Sequence, residues 1–453
     1  MDQTTERIRD YACGLTYEDL PQDVVHQVKR TLIDTLGCAI GGFEAQPSVI
    51  ARRLAQHMTG DMASRIIGTT GSSSPDMAAF ANGVMVRYLD YNDSYFSPGG
   101  GHPSDMIPAV LALADPLARD GRTVITAITL AYEVFCRLSD QVALGGLGWD
   151  QGMFSVIGAA CGAGKVLGLD ADAMGHAISL AVVPNVPLGV TRVGELAMWK
   201  GCAAASATRA ATFAALLARE GMTGPEAPFE GRRGLWEQTV GKAVQLGAFG
   251  GDGMPFAITS SMFKAFPSQI HTQGPISLAL ELRSQVAVSD IAAIRIQTYG
   301  SAVQSAAMEP AKWAPQTRET ADHSIPYLVA TALCHGPVTP ASFTKKRLQD
   351  ADVRALMGKM TVDEDEHFTQ RFSDEYNCRI EVSTTSGQRL EVHTAYQPGH
   401  WRNPLSDAQV ADKFNRLASE LLSQERCASV LDRLWSLEKE PNLRAILDDL
   451  VVP

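Results

Sequence analysis

A chain of 453 residues exceeds what one compact core holds and calls for two or three structural units. Its charged fraction of 20% and hydrophobic fraction of 45% are those of an ordinary globular protein, and no uncharged apolar run approaches the roughly 20 residues that span a bilayer. The formal net charge of −11 argues against nucleic acid as a partner, since phosphate binding needs a basic face, and any anionic substrate must then meet a local cationic pocket.

The N-terminal stretch MDQTTERIRDYACGLTYEDL has no basic region followed by an apolar core and a small-residue cleavage site, so a cytoplasmic protein is expected. The eight cysteines stand singly without a CxxC pair, the usage of reduced thiols. No HExxH, Walker A or EF-hand pattern is present, and GGFEAQ after LIDTLGCAI lacks the spacing of a dinucleotide-binding turn. The chemistry is therefore expected to run on side chains, with no metal and no cofactor.

From about residue 3 to 265, apolar residues recur at helical spacing, as in VVHQVKRTLIDTLGCAIGG, TVITAITLAYEVFCRLSD, FSVIGAACGAGKVLGLD and KGCAAASATRAATFAALLAREG. Small residues crowd several of these segments, which lets helix axes approach closely, and Gly or Asp closes most of them. After Phe266 the pattern changes. IAAIRIQTY is rich in β-branched residues, and CRIEVSTTSGQRLEVHTA is two alternating runs around Thr-Ser-Gly, the form of a hairpin. With the helical segments between them, residues 267–400 read as a smaller α+β unit. The helical period returns from SDAQVADKFNRLASELLSQ onward, and these last helices are expected to pack back on the first unit. The expected fold is mainly α: an all-helical domain of residues 1–266 and 401–453, with an α+β domain of 267–400 inserted.

Three places carry unusual polar chemistry. RYLDYNDSYFSPGGGHPSDM, residues 87–106, gathers Asp90, Asp93, Ser94, His102, Ser104 and Asp105 around three glycines. Its best pair is Asp90 with His102, because a carboxylate fixes an imidazole's tautomer and raises its basicity for proton transfer. The plainer alternative makes the aspartates turn-formers and His102 a solvated residue. In GELAMWKGCAAASATR, Lys200 stands at the start of a strongly apolar helix, where a desolvated ammonium reads as a partner for a substrate carboxylate or as a lysine of lowered pKa; snorkelling to water is the alternative. SSMFKAFPSQIHTQG places Lys264, Gln269, His271 and Gln273 around Pro267 at the junction of the two units, either a ligand-binding hinge or a solvated linker. His102, His271 and His323 lie far apart with no i, i+4 pair, which ranks a metal site below a proton-transfer site.

Four segments in order resemble the MmgE/PrpD family, which includes 2-methylcitrate dehydratase, cis-aconitate decarboxylase and iminodisuccinate epimerase. They are LDYNDSY…GHPSDM (89–106), GELAMWKGCAAASATRAATFAALLAREGMTGPEAPFEG (194–231), FKAFPSQIHTQ (263–273) and TADHSIPYLVATAL (320–333). The resemblance covers essentially the whole chain. It implies a large helical domain built from both chain ends, an α+β lid, a homodimer, and an active site in the cleft between domains. Carried onto matching positions, that site would use Asp90, Ser94 and His102 from the loop, Lys200, and Lys264 from the hinge. His271 fits the K-x-F-P-x-x-x-H-x-Q form of the 2-methylcitrate dehydratase branch. Two departures bear on the substrate: Gln269 stands where that branch typically carries an acidic residue, and Gln151 where relatives often carry a histidine.

The expected activity is a cofactor-independent hydro-lyase acting on a hydroxy di- or tricarboxylate, with 2-methylcitrate favoured. A proton beside a carboxylate is weakly acidic, so fixed cations must stabilise the doubly negative intermediate, and Lys200 and Lys264 are the candidates. Asp90, His102 and Lys200 are expected to be catalytic, and Ser94, Lys264, Gln269 and His271 to bind substrate. Decarboxylation of cis-aconitate and epimerisation of iminodisuccinate pass through a similar carbanion and stand as rivals. A polycarboxylate-binding protein without turnover is the non-enzyme alternative.

Overall fold

A computed structural model describes residues 1–453. The chain is mainly helical, 56% helix against 9% strand, and it separates into two compact units. The first comprises residues 1–191, 201–261 and 406–453, and the second comprises 192–200 and 262–405. No helix is long and apolar enough to cross a membrane, and no two cysteines form a disulfide.

The first unit is built on long helices whose apolar faces share one core. Gly152–Leu167 packs against both Gly121–Ser139 and Ala203–Arg219, and Pro75–Tyr88 also lies on the latter. The small residues noted in the sequence sit at these crossings. A Cβ on Gly158 would come within 2.6 Å of the Ala131 carbonyl oxygen, and one on Gly83 within 2.9 Å of the Ala205 Cβ. Gly168, in the left-handed region at φ 71°, ends the helix Gly152–Leu167 as a C-terminal cap. The returning helix Asp407–Ala418 packs on Gln22–Gly41, starting from Ser406 in a capping box with Gln409.

In the second unit, a four-stranded sheet runs in the order Met360–Glu364, Ile291–Thr298, Cys378–Thr384, Arg389–Thr394. The first pair is parallel and the other two are antiparallel, with Ile296 opposite both Val362 and Ile380. Strand Cys378–Thr384 alternates strictly between buried and half-buried residues, as its sequence does. The helix Gln273–Arg283 lies on this strand and on its hairpin partner, and packs against Ile325–His335.

Candidate active-site constellations

In the first unit, the loop after helix Pro75–Tyr88 is not a solvated turn. Asp90, Asn92, Asp93, Ser94, Ser104 and Asp105 are all buried, and a loop can be buried only if its polar groups find partners. Asp93 supplies most of them. Its Oδ1 accepts from the Ser104 backbone N–H at 3.0 Å, and its Oδ2 from the Tyr132 hydroxyl at 2.8 Å. Asn92 donates to Ser104 Oγ and to Asp105 Oδ1, each at 2.8 Å. Burial pushes the Asp93 carboxyl up to about 6 against the pull of its two donors.

Asp90 is held in the left-handed region at φ 50°, a conformation that Asp tolerates better than most residues. Its Oδ1 accepts from Arg87 Nη1 at 2.7 Å, and Arg87 Nε lies 3.7 Å from Asp105 Oδ2. Two glycines allow the return of the chain: a Cβ on Gly99 would fall 2.1 Å from the Val142 carbonyl oxygen, and one on Gly101 would fall 1.6 Å from Gln151 Oε1.

His102 ends this return, 8% exposed. Its Nδ1 lies 2.7 Å from the Asp93 carbonyl oxygen and 3.1 Å from Ser94 Oγ, while Nε2 lies 3.9 Å from Asp90 Oδ1. The sequence reading assigned the orienting role to the Asp90 carboxylate. The group found at Nδ1 is instead a backbone carbonyl, so the tautomer with the proton on Nδ1 is the one favoured, and Nε2 is the nitrogen beside Asp90. The His102 backbone N–H donates to Gln151 Oε1 at 2.8 Å, and Gln151 Nε2 donates to Asp105 Oδ2 at 3.0 Å. Gln151 thus ties the histidine's backbone to the loop's carboxylates from the start of helix Gly152–Leu167.

A further clamp comes from the returning helix Asp407–Ala418. Lys413, fully buried, donates to the Tyr91 carbonyl oxygen at 2.7 Å, pairs with Asp34 Oδ1 at 2.6 Å and sits 3.8 Å over the Tyr91 ring. No local pattern in the sequence marks this group.

The second unit carries the basic residues. Lys200 lies in a 3-10 turn, Met198–Gly201, ahead of the helix Ala203–Arg219. Its neighbours reverse the snorkelling alternative, for Trp199 is 52% and Met198 40% exposed while Lys200 is 2%. Lys200 Nζ lies 2.9 and 3.0 Å from the two carboxylate oxygens of Asp322. The segment 192–200 is fixed to this unit by Gly194 N–H donating to Glu309 and Leu196 N–H to Thr320 Oγ1.

Lys264 is wholly buried. The strand of chain after it is shaped by Gln273, whose Oε1 accepts from the backbone N–H groups of Ala265 and Phe266 and whose Nε2 donates to the carbonyls of Phe266 and Ser268. Gln269 bonds through its backbone N–H to the Asp322 carbonyl at 2.9 Å, and its side-chain Oε1 is buried with no hydrogen-bond partner. His271 Nδ1 lies 2.7 Å from the Tyr299 hydroxyl, among the rings of Tyr299, Phe372 and Tyr376. Burial, followed by His323 and Lys264, lowers its pKa to about 3, so it is neutral.

The sequence reading passed over Asp322 and His323 as chemistry, although both lie in TADHSIPYLVATAL. His323 Nδ1 lies 2.5 Å from Asp322 Oδ1, and both residues are buried between the short helix Arg318–Ala321 and Ser324, the N-cap of Ile325–His335. Adjacency of Asp and His was the available signal.

A two-unit, mainly helical protein with buried polar constellations on both units is the class that fold and geometry define. Comparison with known families narrows it. The MmgE/PrpD N-terminal domain matches residues 6–245 and the MmgE/PrpD C-terminal domain matches residues 266–437. The chain belongs to the MmgE/PrpD family. Among curated proteins, it is 28% identical over 428 residues to the 2-methylcitrate dehydratase of Salmonella typhimurium, covering 88% of this chain and 86% of the relative. The 2-methylcitrate dehydratase of Escherichia coli strain K12 is 27% identical over 441 residues, covering 91% and 89%. The 2-methylcitrate dehydratase-like protein oryR of Aspergillus oryzae is 28% identical over 489 residues, covering 100% and 96%.

Proposed function

We propose that this protein is a dehydratase, a hydro-lyase that needs no cofactor and acts on a hydroxy polycarboxylate, with 2-methylcitrate as the favoured substrate and a 2-methylaconitate as the product. The observation that carries the reading is His102: a buried imidazole whose Nδ1 is engaged by the Asp93 carbonyl, so that proton exchange falls to Nε2 on the side of Asp90. The names of the relatives, each spanned over most of its length, support the same reaction class.

In this reading His102 takes the proton from the carbon next to a substrate carboxylate. The charge that develops on that carboxylate is stabilised by the ammonium groups of Lys200 and Lys264, which act in a desolvated setting where fixed cations are most effective. Asp90, Ser94, Gln269 and His271 position the substrate. The orphaned Gln269 Oε1 is an acceptor suited to the substrate's hydroxyl proton, and the neutral His271 donates or accepts a hydrogen bond without adding charge. A cytoplasmic homodimer is part of the same proposal, and sedimentation and fractionation test it directly.

The deciding experiment incubates the protein with 2-methylcitrate, citrate, cis-aconitate and iminodisuccinate, before and after exhaustive chelation, and follows mass and chirality. Loss of water from a hydroxy acid, unaffected by chelation, is expected. Loss of CO₂ from cis-aconitate, or unchanged mass with altered chirality, replaces the dehydratase reading with one of its rivals, and no turnover at all leaves a binding protein.

A further inference from the structure

The second unit holds two buried histidines in opposite electrostatic settings. His271 faces a tyrosine hydroxyl among aromatic rings and is kept neutral. His323 faces a carboxylate: Asp322 Oδ1 stands 2.5 Å from its Nδ1, in the arrangement that fixes an imidazole's orientation. Lys200 holds both oxygens of the same carboxylate at 2.9 and 3.0 Å, so the carboxylate is held fixed as it faces the imidazole. One residue along the backbone hydrogen bond from Asp322 is Gln269, whose buried Oε1 has no hydrogen-bond partner. An imidazole held by a carboxylate is the kind of group that can hand a proton to a departing hydroxyl.

We propose that His323, oriented by Asp322, is the acid that protonates the hydroxyl leaving the substrate. The assignment rests on the dehydratase reading and completes it, because elimination of water moves two protons and His102 accounts for only one. His102 takes the proton from carbon, and the C–H electron pair becomes the second bond of the new C=C. The C–O pair departs with oxygen, and the proton on His323 Nε2 completes a water molecule. His323 is left neutral and His102 protonated, and exchange with solvent resets both. Hydroxide is a poor leaving group, so this protonation carries a substantial share of the barrier; Gln269 Oε1 holds the hydroxyl's own hydrogen meanwhile.

The test compares 2-methylcitrate with its analogue carrying fluorine in place of the tertiary hydroxyl, since fluoride departs with far less need of a proton. His323→Gln is expected to lower kcat for 2-methylcitrate by about 10²–10⁴-fold, the usual share of general acid catalysis, and for the fluoro analogue by less than about tenfold. Asp322→Asn, which keeps the imidazole and removes its carboxylate, is expected to show the same selectivity at smaller amplitude and serves should His323→Gln fail to fold. His102→Asn is expected to slow both substrates alike, as loss of the carbon base must. Equal losses on the two substrates in the His323 and Asp322 variants, or full activity on 2-methylcitrate, overturns the acid role while the dehydratase reading stands. A wild-type protein that releases neither water nor fluoride overturns the dehydratase reading, and the acid role falls with it.

Discussion

Replacing Asp93 by Asn isolates the cost of burying a carboxyl at the centre of the loop. Its two donors, the Ser104 N–H and the Tyr132 hydroxyl, hold the ionised form less well than water does, and the carboxyl rises from an ordinary 3.8 to about 6. The folded protein therefore binds this proton more tightly than the unfolded chain does. Between about pH 4 and pH 6 the native state carries the proton and the unfolded state sheds it, so stability falls as pH rises through that window and is flat on either side. At 1.36 kcal/mol per pH unit, the full loss is about 3 kcal/mol, of which about 2 kcal/mol lies between pH 4 and pH 7.5. Asn is nearly isosteric with the protonated acid. Its oxygen accepts from Ser104, its NH₂ donates to the Tyr132 oxygen, and the main-chain carbonyl that engages His102 is untouched. Urea unfolding of both proteins across pH 4 to 7.5 is the assay, because other titrating groups cancel in the difference. Asp93→Asn is expected to gain about 2 kcal/mol relative to wild type over that range. A difference that stays constant with pH would mean that Asp93 is ionised in the folded state at no cost, and the account of this buried loop would fail.

Lys413→Met removes one partner of a buried pair, taking from Asp34 its ammonium and from the Tyr91 carbonyl the Lys413 donor. It is expected to cost about 3–5 kcal/mol in urea unfolding, with much of that recovered by adding Asp34→Leu; an additive double variant would deny the coupling. Gln151→Glu sets a second carboxylate against Asp105 Oδ2. A loss of activity that deepens as rising pH ionises the new carboxyl is expected, and an activity profile parallel to wild type would show that this bridge does not position His102. Lys312 is buried, and its pKa is lowered by burial first, with the Lys200 ammonium adding to the effect against Glu309 and Asp322. Its native form sheds the proton before the unfolded chain does, so its charge costs stability at neutral pH and less as pH rises toward its ordinary 10.5. Lys312→Met is accordingly expected to raise the urea midpoint at pH 7 and to lose that advantage at pH 10; an advantage that does not shrink with pH would place it in packing alone.

Periodicity made the helices and the hairpin legible because one buried face per element leaves its spacing in the chain, as in the alternating Cys378–Thr384. Small residues foretold close helix crossings, and Gly158 and Gly83 occupy them. The loop's polar content was also readable, since so many titratable groups between two helices exceed what a turn requires. The partner at each atom was not. His102 meets the Asp93 carbonyl at Nδ1 because the backbone reverses at Gly99–Gly101, a geometry set by Val142 and Gln151 from distant segments. Lys200 and Asp322 are 122 residues apart, and Lys413 and Tyr91 are 322 apart. Such pairings are chosen by tertiary packing and leave no spacing to count. His323 was passed over for a different reason: it was weighed only as a metal ligand, by its distance from other histidines, when its partner was the preceding residue.

The charge balance of the two constellations bears on what they bind. Around His102 the first unit sets Asp90, Asp93 and Asp105 against the single guanidinium of Arg87, a surplus of acid that suits holding and passing a proton. In the second unit, Lys200, Lys264 and Lys312 are all buried, and Asp322 is shared among the Lys200 ammonium, the His323 imidazole and the field of Lys312. Burying an ammonium costs several kcal/mol unless an anion compensates it; Asp322 meets Lys200, and Glu309 and Asp322 act together on Lys312. A chain of net charge −11 has no general reason to concentrate buried lysines in its smaller unit. In the proposed reaction, a substrate with two or three carboxylates would add its negative charge to this setting, and cations already desolvated and fixed would need no reorganisation when a further charge develops on one of those carboxylates. On the proposed reading, the cost of burying these lysines is the counterpart of their effect on the reaction, and substrate binding is where that cost would be offset.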